Sequence, residues 1–575
     1  MGTPAKDKVI DLAAEVEARR LAEAEQLTPP AEKTTSAGGP DDPRFVLQCL
    51  EENERGDGKL YAALHRGKFV YVKSRDEKST AWFRWAGHHW EADKGDFHFA
   101  AVEDVALIYQ READKLRDPI KAARDLSSQA ASLTKQLKQM QRDEASDEDL
   151  ASVVAMLKDA ESASLELKRL TRHKKDFTDR VDRLRSLPGV KKCVEFAHKL
   201  GADGLFIYGD EIDKNPNLLP CLNGVIDLET GELKDGRPED FMVRAIKINY
   251  NPKAPRPAWL KFFSEIHQDN ADKAACVKRW FGYCLTGHVS EQFYTIFTGG
   301  GANGKGTMVE IIGEIMGELA KPVMAEMFIK SKNVRSSTGA SPDILGMQGR
   351  RWIYVDETND GDKIDAAELK KTTGGNKRTG RGLFDRYETD FTPTAKLSII
   401  TNHPPRGITE HFSVKRRLIF LDYPLRYVRD VAASTATDPG NAPFYRPIDQ
   451  HLPEKLRAEE EGIFAWMVEA ALEWKLNGLA VPPCLLQAVE EVAEKEDMLG
   501  QFIHAKAEIG SDYEMPAKDF LAAYQKWYIE EGHPERWKPT RNATYDQLRS
   551  KGYRIPDNRT TSGTTKIFGL DLKVI

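Results

Sequence analysis

The sequence predicts an α/β fold: a central domain with a mainly parallel sheet, a mainly helical region before it and a small domain of helices and strands after it. Three observations carry the prediction. A glycine-rich loop, Gly-Gly-Gly-Ala-Asn-Gly-Lys-Gly-Thr at 299–307, stands between the apolar run Phe-Tyr-Thr-Ile-Phe and a helical stretch from Thr307 to Gly317. Two further apolar runs end in polar tips, Trp-Ile-Tyr-Val-Asp-Glu at 352–357 and Lys-Leu-Ser-Ile-Ile-Thr-Asn at 396–402. Between 99 and 187, apolar residues recur at spacings of three or four, the period of a helix with one buried face.

Bulk properties narrow the class. At 575 residues the chain is too long for one core. Its 40% hydrophobic and 30% charged content is that of an ordinary soluble protein, and no apolar run is long enough to cross a bilayer. The first twenty residues lack a secretory signal, and Lys6 stands where a myristoylation motif needs Ser or Thr. Six scattered cysteines without a Cys-x-x-Cys pair argue against a zinc ribbon or disulfide framework and fit a reducing cytoplasm. A net charge of −6 excludes a globally basic nucleic-acid binder and leaves only a local basic site.

In chain order, residues 1–43 read as a tail and a linker rich in Pro, Gly, Ser and Thr, with a short amphipathic helix within 1–25. Region 44–250 begins with mixed short elements. Its Trp82, Trp85 and Trp90 suit either base stacking or, more commonly, a core. At about 125–185, Leu133, Leu137, Met140, Leu150, Val154, Leu157, Leu167 and Leu170 predict an antiparallel helical hairpin that turns near 142–149. Residues 189–250 are strand-like and rich in loops. The central domain occupies 251–430, a helical linker region 431–483, and a final small domain 484–575.

The loop obeys Gly-x4-Gly-Lys through Gly299, Gly304 and Lys305, in the strand–loop–helix context that a phosphate-binding loop requires. Backbone N–H groups along Gly299, Gly300, Gly301, Ala302, Asn303, Gly304, Lys305, Gly306 and Thr307 are candidates to cradle phosphates, with the helix dipole behind them and Lys305 reaching the outer ones. Gly306 stands where a magnesium-binding Ser or Thr is usual, and Thr307 follows one residue late. Asp356 is placed to complete a Mg2+ site and Glu357 to polarise a water for attack on ATP. Asn402 suits orienting that water or sensing the terminal phosphate. Lys415, Arg416 and Arg417 precede another strand. In a ring of ATPases one such arginine completes the neighbouring subunit's site, and Arg416 and Arg417 are equal candidates.

Between the acidic and amide strand tips, residues 368–397 combine Gly374, Gly375, Gly380 and Gly382 with Lys377, Arg378, Arg381 and Arg386. Flexible turns carrying exposed cations suit a phosphate backbone. Taken together these motifs resemble superfamily 3 helicases, in particular the phage/plasmid primase C-terminal family whose motor is shared with poxvirus primase-helicases. The resemblance rests on 299–307, Val-Asp-Glu at 355–357, Thr-Gly-Gly…Arg…Leu-Phe at 373–384, Ile-Ile-Thr-Asn-His-Pro-Pro and the arginine pair, in family order. It departs from the family at Asn376, where Asp is more common, and at Met308, where Phe is.

The resemblance implies a P-loop, AAA+-like ATPase core, a helical collar and a C-terminal winged helix at 484–575. It implies a replicative DNA helicase of a phage or mobile element in the bacterial cytoplasm, a homo-hexameric ring using ATP and Mg2+. Such a ring would move 3′ to 5′ on single-stranded DNA and unwind forks, with Lys377, Arg378 and Arg381 on the strand. No primase motif precedes the motor, so a separate primase or initiator is an expected partner, and no membrane is. Two rivals are an ATP-regulated DNA-binding or assembly switch without unwinding, and a small-molecule kinase; Glu357 argues against the first and the basic hairpin against the second.

Overall fold

A computed structural model describes residues 39–73, 81–143, 145–330, 341–359, 361–380, 389–533, 535, 538–556 and 565–573. The expected helix within 1–25 lies outside the described residues. The chain divides into two compact units, one comprising 1–72, 81–84 and 92–207 and the other 73–80, 85–91 and 208–575. The boundary at 207/208 therefore cuts through the region read from sequence as one piece, 44–250.

The first unit is mainly helical. Helices α1 (Arg117–Ser128) and α2 (Ala130–Arg142) run back along α3 (Asp147–Leu184), which Ser146 caps by accepting from Asp149 N–H. The outer hairpin is held by Leu133, Val153 and Ala160, flanked by Leu137, Met140 and Leu157. It begins at Arg117, earlier than its sequence periodicity suggested, because Ile120 is already buried on the same face. The base of α3 joins a core that includes Val46, Tyr61, Val105, Tyr109, Phe177, Val181 and Cys193. There Arg180 donates to Asp57 at 2.7 Å, and Tyr109 donates to the same carboxylate at 3.1 Å. Trp82 belongs to this core, stacked on His98 at 5.1 Å. Trp85 and Trp90 meet edge to face at 5.4 Å within the second unit. The tryptophans are thus packing residues.

The second unit is built on a five-stranded parallel sheet. In chain order its strands are β1 (Tyr294–Thr298), β2 (Ala320–Val323), β3 (Trp352–Asp356), β4 (Lys396–Ile400) and β5 (Leu418–Asp422), and in space they lie β5-β1-β4-β3-β2. Register pairs Ile399 with Ile296 and Val355, and Phe420 with Ile296, so all tips point one way. The inner strands are buried on both faces, which explains their unbroken apolar runs. One face packs on α4 (Pro257–Ile266), α5 (Ala271–Leu285) and α6 (Lys305–Met316).

Two boundaries differ from the sequence reading. The region 431–483 is not a linker: α8 (Glu460–Asn477) buries Ile463, Phe464, Met467, Ala470 and Trp474 in the core beside the parallel sheet, against α5. Gly282 permits that approach, since a Cβ there would sit 2.2 Å from the Ala470 carbonyl carbon. Helix α9 (Pro483–Glu496) also belongs to the sheet domain, through Val489 and through Glu496, which accepts from Gly407 and Thr409. The terminal domain begins near Met498. Its helices 498–506, 517–530 and 541–550 and the antiparallel pair Ala507–Pro516 with Lys566–Leu572 enclose Phe502, Phe520, Tyr524, Leu548 and Ile567.

Candidate nucleotide site

All five parallel tips converge on one edge, and the loop 299–304 crosses it. Gly304 begins α6 in a left-handed conformation (φ 84°), where a Cβ would meet Ile266 at 2.7 Å and Phe262 at 3.0 Å. At Gly299 (φ 145°) a Cβ would stand only 2.3 Å from the Tyr423 carbonyl oxygen. Asn303 straps the loop down: its Nδ2 donates to that carbonyl at 3.0 Å, while Ala302 O accepts from Tyr427 N at 2.7 Å. Tyr423 is held in turn by a buried contact between its hydroxyl and His267 Nε2 at 3.0 Å. This strap was not legible in the sequence, because nothing in an isolated Tyr or His marks a partner over 100 residues away.

Lys305 is buried, 4% exposed. Its Nζ donates to Gly299 O at 2.8 Å and to Asn402 Oδ1 at 3.2 Å, so two of the expected site residues meet directly. Burial lowers the lysine pKa to about 8, opposed by the charge of Asp422 at the tip of β5. Asp422 is a site-edge carboxylate that sequence reasoning missed; its only signal was its place after an apolar run.

Asp356 ends β3 beside Ile400, two residues before Asn402. Glu357 N donates to Ile400 O at 2.9 Å, and Thr358 Oγ1 lies 2.8 Å from Thr401 Oγ1, locking the two tips together. Glu357 has φ 65°, which is uncommon for a residue with a side chain and marks a position held by its surroundings. Both acids are exposed, and no hydrogen bond or ion pair engages either carboxylate among the described residues. Thr307 lies half-buried on the first turn of α6, and a Cβ at Gly306 would meet nothing within 4 Å. These oxygen donors fit a hard cation such as Mg2+ shared with bound phosphates. Among the described residues no group of three His, Cys, Asp or Glu would hold a metal alone.

Arg416 and Arg417 are not at this edge. They precede β5 at the opposite end of the sheet, where Tyr294 N donates to Arg417 O at the start of β1. Five strand residues separate them from the loop, about 16 Å. Arg416 is exposed, and among the described residues its guanidinium hydrogen-bonds only Gln292, at 3.3 Å. Arg417 is half-buried and bonded within its own chain.

The basic segment follows α7 (Ala366–Thr373) and pairs Arg378–Gly380 with Thr389–Phe391 as a hairpin base. Lys377 is exposed. Arg378 corrects the sequence expectation: it is 6% exposed, ion-paired with Glu368 and bonded to Thr372, so it braces the hairpin instead of facing a ligand. Arg381 lies outside the described residues.

Residues 59–268 match the family profile described as D5 N terminal like. The chain is 26% identical over 321 residues to "Putative helicase L207/L206" of Acanthamoeba polyphaga mimivirus, covering 55% of this chain and 32% of that protein. It is 22% identical over 531 residues to "Putative helicase 022R" of Frog virus 3, covering 78% and 52%, and 22% identical over 333 residues to "Putative primase C962R" of African swine fever virus, covering 55% and 34%. The chain thus spans a third to a half of the length of these relatives. A solved structure described as the apo structure of the NrS-1 C terminal region aligns with 64% of this chain and 86% of its own, at 10% identity and a TM-score of 0.35, too low to bear on the fold. The primase-helicase resemblance read from the motifs is the one these comparisons return. The relatives named are viruses of amoeba, frog and swine, so the expected bacterial host rests on the motif resemblance alone. No helix among the described residues is long and apolar enough to cross a membrane.

Proposed function

We propose that this chain is the ATP-driven motor of a replicative DNA helicase that works as a ring of identical copies, a hexamer by resemblance. The observation that carries this is the single edge where Lys305, Asn402, Asp356 and Glu357 converge, with an unpaired Glu357 beside a strapped-down glycine loop. The sheet order β5-β1-β4-β3-β2 supports reading the core as a P-loop, AAA+-like ATPase. Loop N–H groups and Lys305 would hold the phosphates of ATP, and Asn402, already bonded to Lys305, would orient the water. Glu357 would accept the proton of that water, a task for which a site built only to bind has no use. Asp356 and Thr307 would hold Mg2+, which supplies charge neutralisation when bound.

Arg416 is the arginine we assign to a neighbouring copy's site, because Arg417 is engaged at home. Lys377, with Arg381, would follow single-stranded DNA as ATP turnover moves the hairpin, 3′ to 5′ by resemblance. Residues 498–573 would act as a winged helix toward forked DNA or a separate primase or initiator.

The test is ATP hydrolysis with and without single-stranded DNA, beside Lys305→Ala and Glu357→Gln. DNA-stimulated turnover lost in both variants supports the motor. Tight ATP binding with no turnover in either condition would instead make the chain an ATP-regulated assembly switch.

A further inference from the structure

Of the two adjacent arginines, Arg416 is exposed and half-buried Arg417 makes a specific connection. Arg417 Nη1 donates to Thr373 Oγ1 at 2.8 Å and to Lys370 O at 3.2 Å, and its Nε is buried without a partner among the described residues. Burial and the charge of Arg416 lower its pKa. Lys370 and Thr373 form the last turn of α7, and Thr373 Oγ1 itself donates to Leu369 O at 2.9 Å. Four residues beyond Thr373 stands Lys377, reached through Gly374 and Gly375, the latter at φ 72°.

The same helix grips the hairpin a second time. Glu368 pairs with Arg378 and Thr372 Oγ1 accepts from Arg378 Nη1 at 3.3 Å, so α7 and the hairpin base are one piece. The turn Phe412–Lys415 carries Arg416 and Arg417 together, with Arg416 N donating to Phe412 O at 3.0 Å. Consecutive Cα atoms are about 3.8 Å apart and cannot move independently.

We propose that Arg417 is a positioning residue that links the arginine offered to a neighbouring copy to the DNA hairpin of its own chain. The inference rests on the motor reading above. When Arg416 gains or loses contact with phosphate across the interface, the turn shifts, and Arg417 carries the shift into α7 and so to Lys377. The unpartnered Nε gives the guanidinium a reason to adopt a second arrangement, which a two-state link requires.

The full chain carrying Thr373→Val tests this, since valine keeps the volume and removes the acceptor; Arg417→Lys is the second variant. Basal ATP hydrolysis, hydrolysis at saturating single-stranded DNA, and DNA affinity are measured for each. For Thr373→Val the expected result is basal turnover and DNA affinity at wild-type levels, with DNA stimulation reduced at least about fivefold. Arg417→Lys, which keeps the charge and one donor, should fall between. Intact stimulation in both variants overturns the link and leaves the motor standing. Parallel loss of basal turnover, stimulation and melting temperature makes Arg417 merely structural and overturns it too. If the wild type hydrolyses no ATP, the motor reading fails first and the link with it.

Discussion

Lys305 gives the sharpest prediction, because its proton is already loosened in the free protein. Burial lowers its pKa to about 8 against an ordinary 10.5. If Lys305 holds the phosphates of ATP as proposed, they favour the ammonium, and binding would draw a proton from solvent wherever the free lysine is neutral. If only the charged form binds, the apparent Kd scales as one plus ten to the power of pH minus pKa. Between pH 7 and pH 9 ATP affinity should then fall about tenfold, or about 1.4 kcal/mol. At pH 8 about half a proton should be taken up per nucleotide. The window lies above the second phosphate ionisation, near about 6, so the ligand adds little to the slope.

The same shift acts on folding with the opposite sign. A lysine whose folded pKa is depressed binds fewer protons folded than unfolded between the two values. Stability of the free protein therefore rises with pH from about 8 toward 10.5, while ATP affinity falls across the lower part of that range. Lys396, lowered by burial to about 7, adds to the stability trend but lies at the far end of β4 from the loop. Calorimetric titration of ATP at pH 7, 8 and 9, in two buffers of different ionisation enthalpy, reads both Kd and proton uptake. Lys305→Arg should flatten the pH profile. A flat wild-type Kd with no proton uptake would refute the assignment of Lys305 to the phosphates.

Three further outcomes follow from the packing. Gly306→Ser should fold normally, because its Cβ enters open space, and should stabilise the helix by about 0.5–1 kcal/mol in urea unfolding. Gly282→Ala should destabilise by about 1–3 kcal/mol, since the new methyl must push α8 from 2.2 Å; unchanged unfolding would mean that the helices do not pack this closely. Arg378→Ala should cost about 3–5 kcal/mol by stranding Glu368, whereas exposed Lys377→Ala should leave stability within about 0.5 kcal/mol. Thermal and urea unfolding compare this pair, and DNA affinity should respond the other way round, falling for Lys377→Ala at unchanged stability.

The sheet was legible because its inner strands are buried on both faces, which leaves them as continuous apolar runs with polar tips. Strand β2 was not, since Ala-Lys-Pro-Val reads as a turn; its proline is tolerated on the edge of the sheet. Helix α8 was legible as a helix, but its burial was missed for the opposite reason. It is apolar around its circumference, so no face stands out, and a helix of that kind belongs in a core. That the central domain runs to Glu496 instead of 430 depends in part on two bonds to one carboxylate from loop residues nearly ninety positions earlier, which no local pattern records.

The cations show most clearly where sequence reasoning stops. Lys377, Arg378, Arg416 and Arg417 are alike as exposed charge in a string of letters, and the fold sorts them by burial and partner. Arg378 finds Glu368 ten residues back across a helix, and Arg417 finds the end of that same helix, so both brace the hairpin. Lys377 and Arg416, each next to a braced residue, are left exposed, and a cation held by its neighbour is better placed to act on an anion than one on a free loop. Lys305 obeys neither pattern. It is buried, bonded to a carbonyl and an amide but to no carboxylate among the described residues, and held where burial disfavours its charge. Under the proposed function, bound phosphate would be the anion that stabilises its charge.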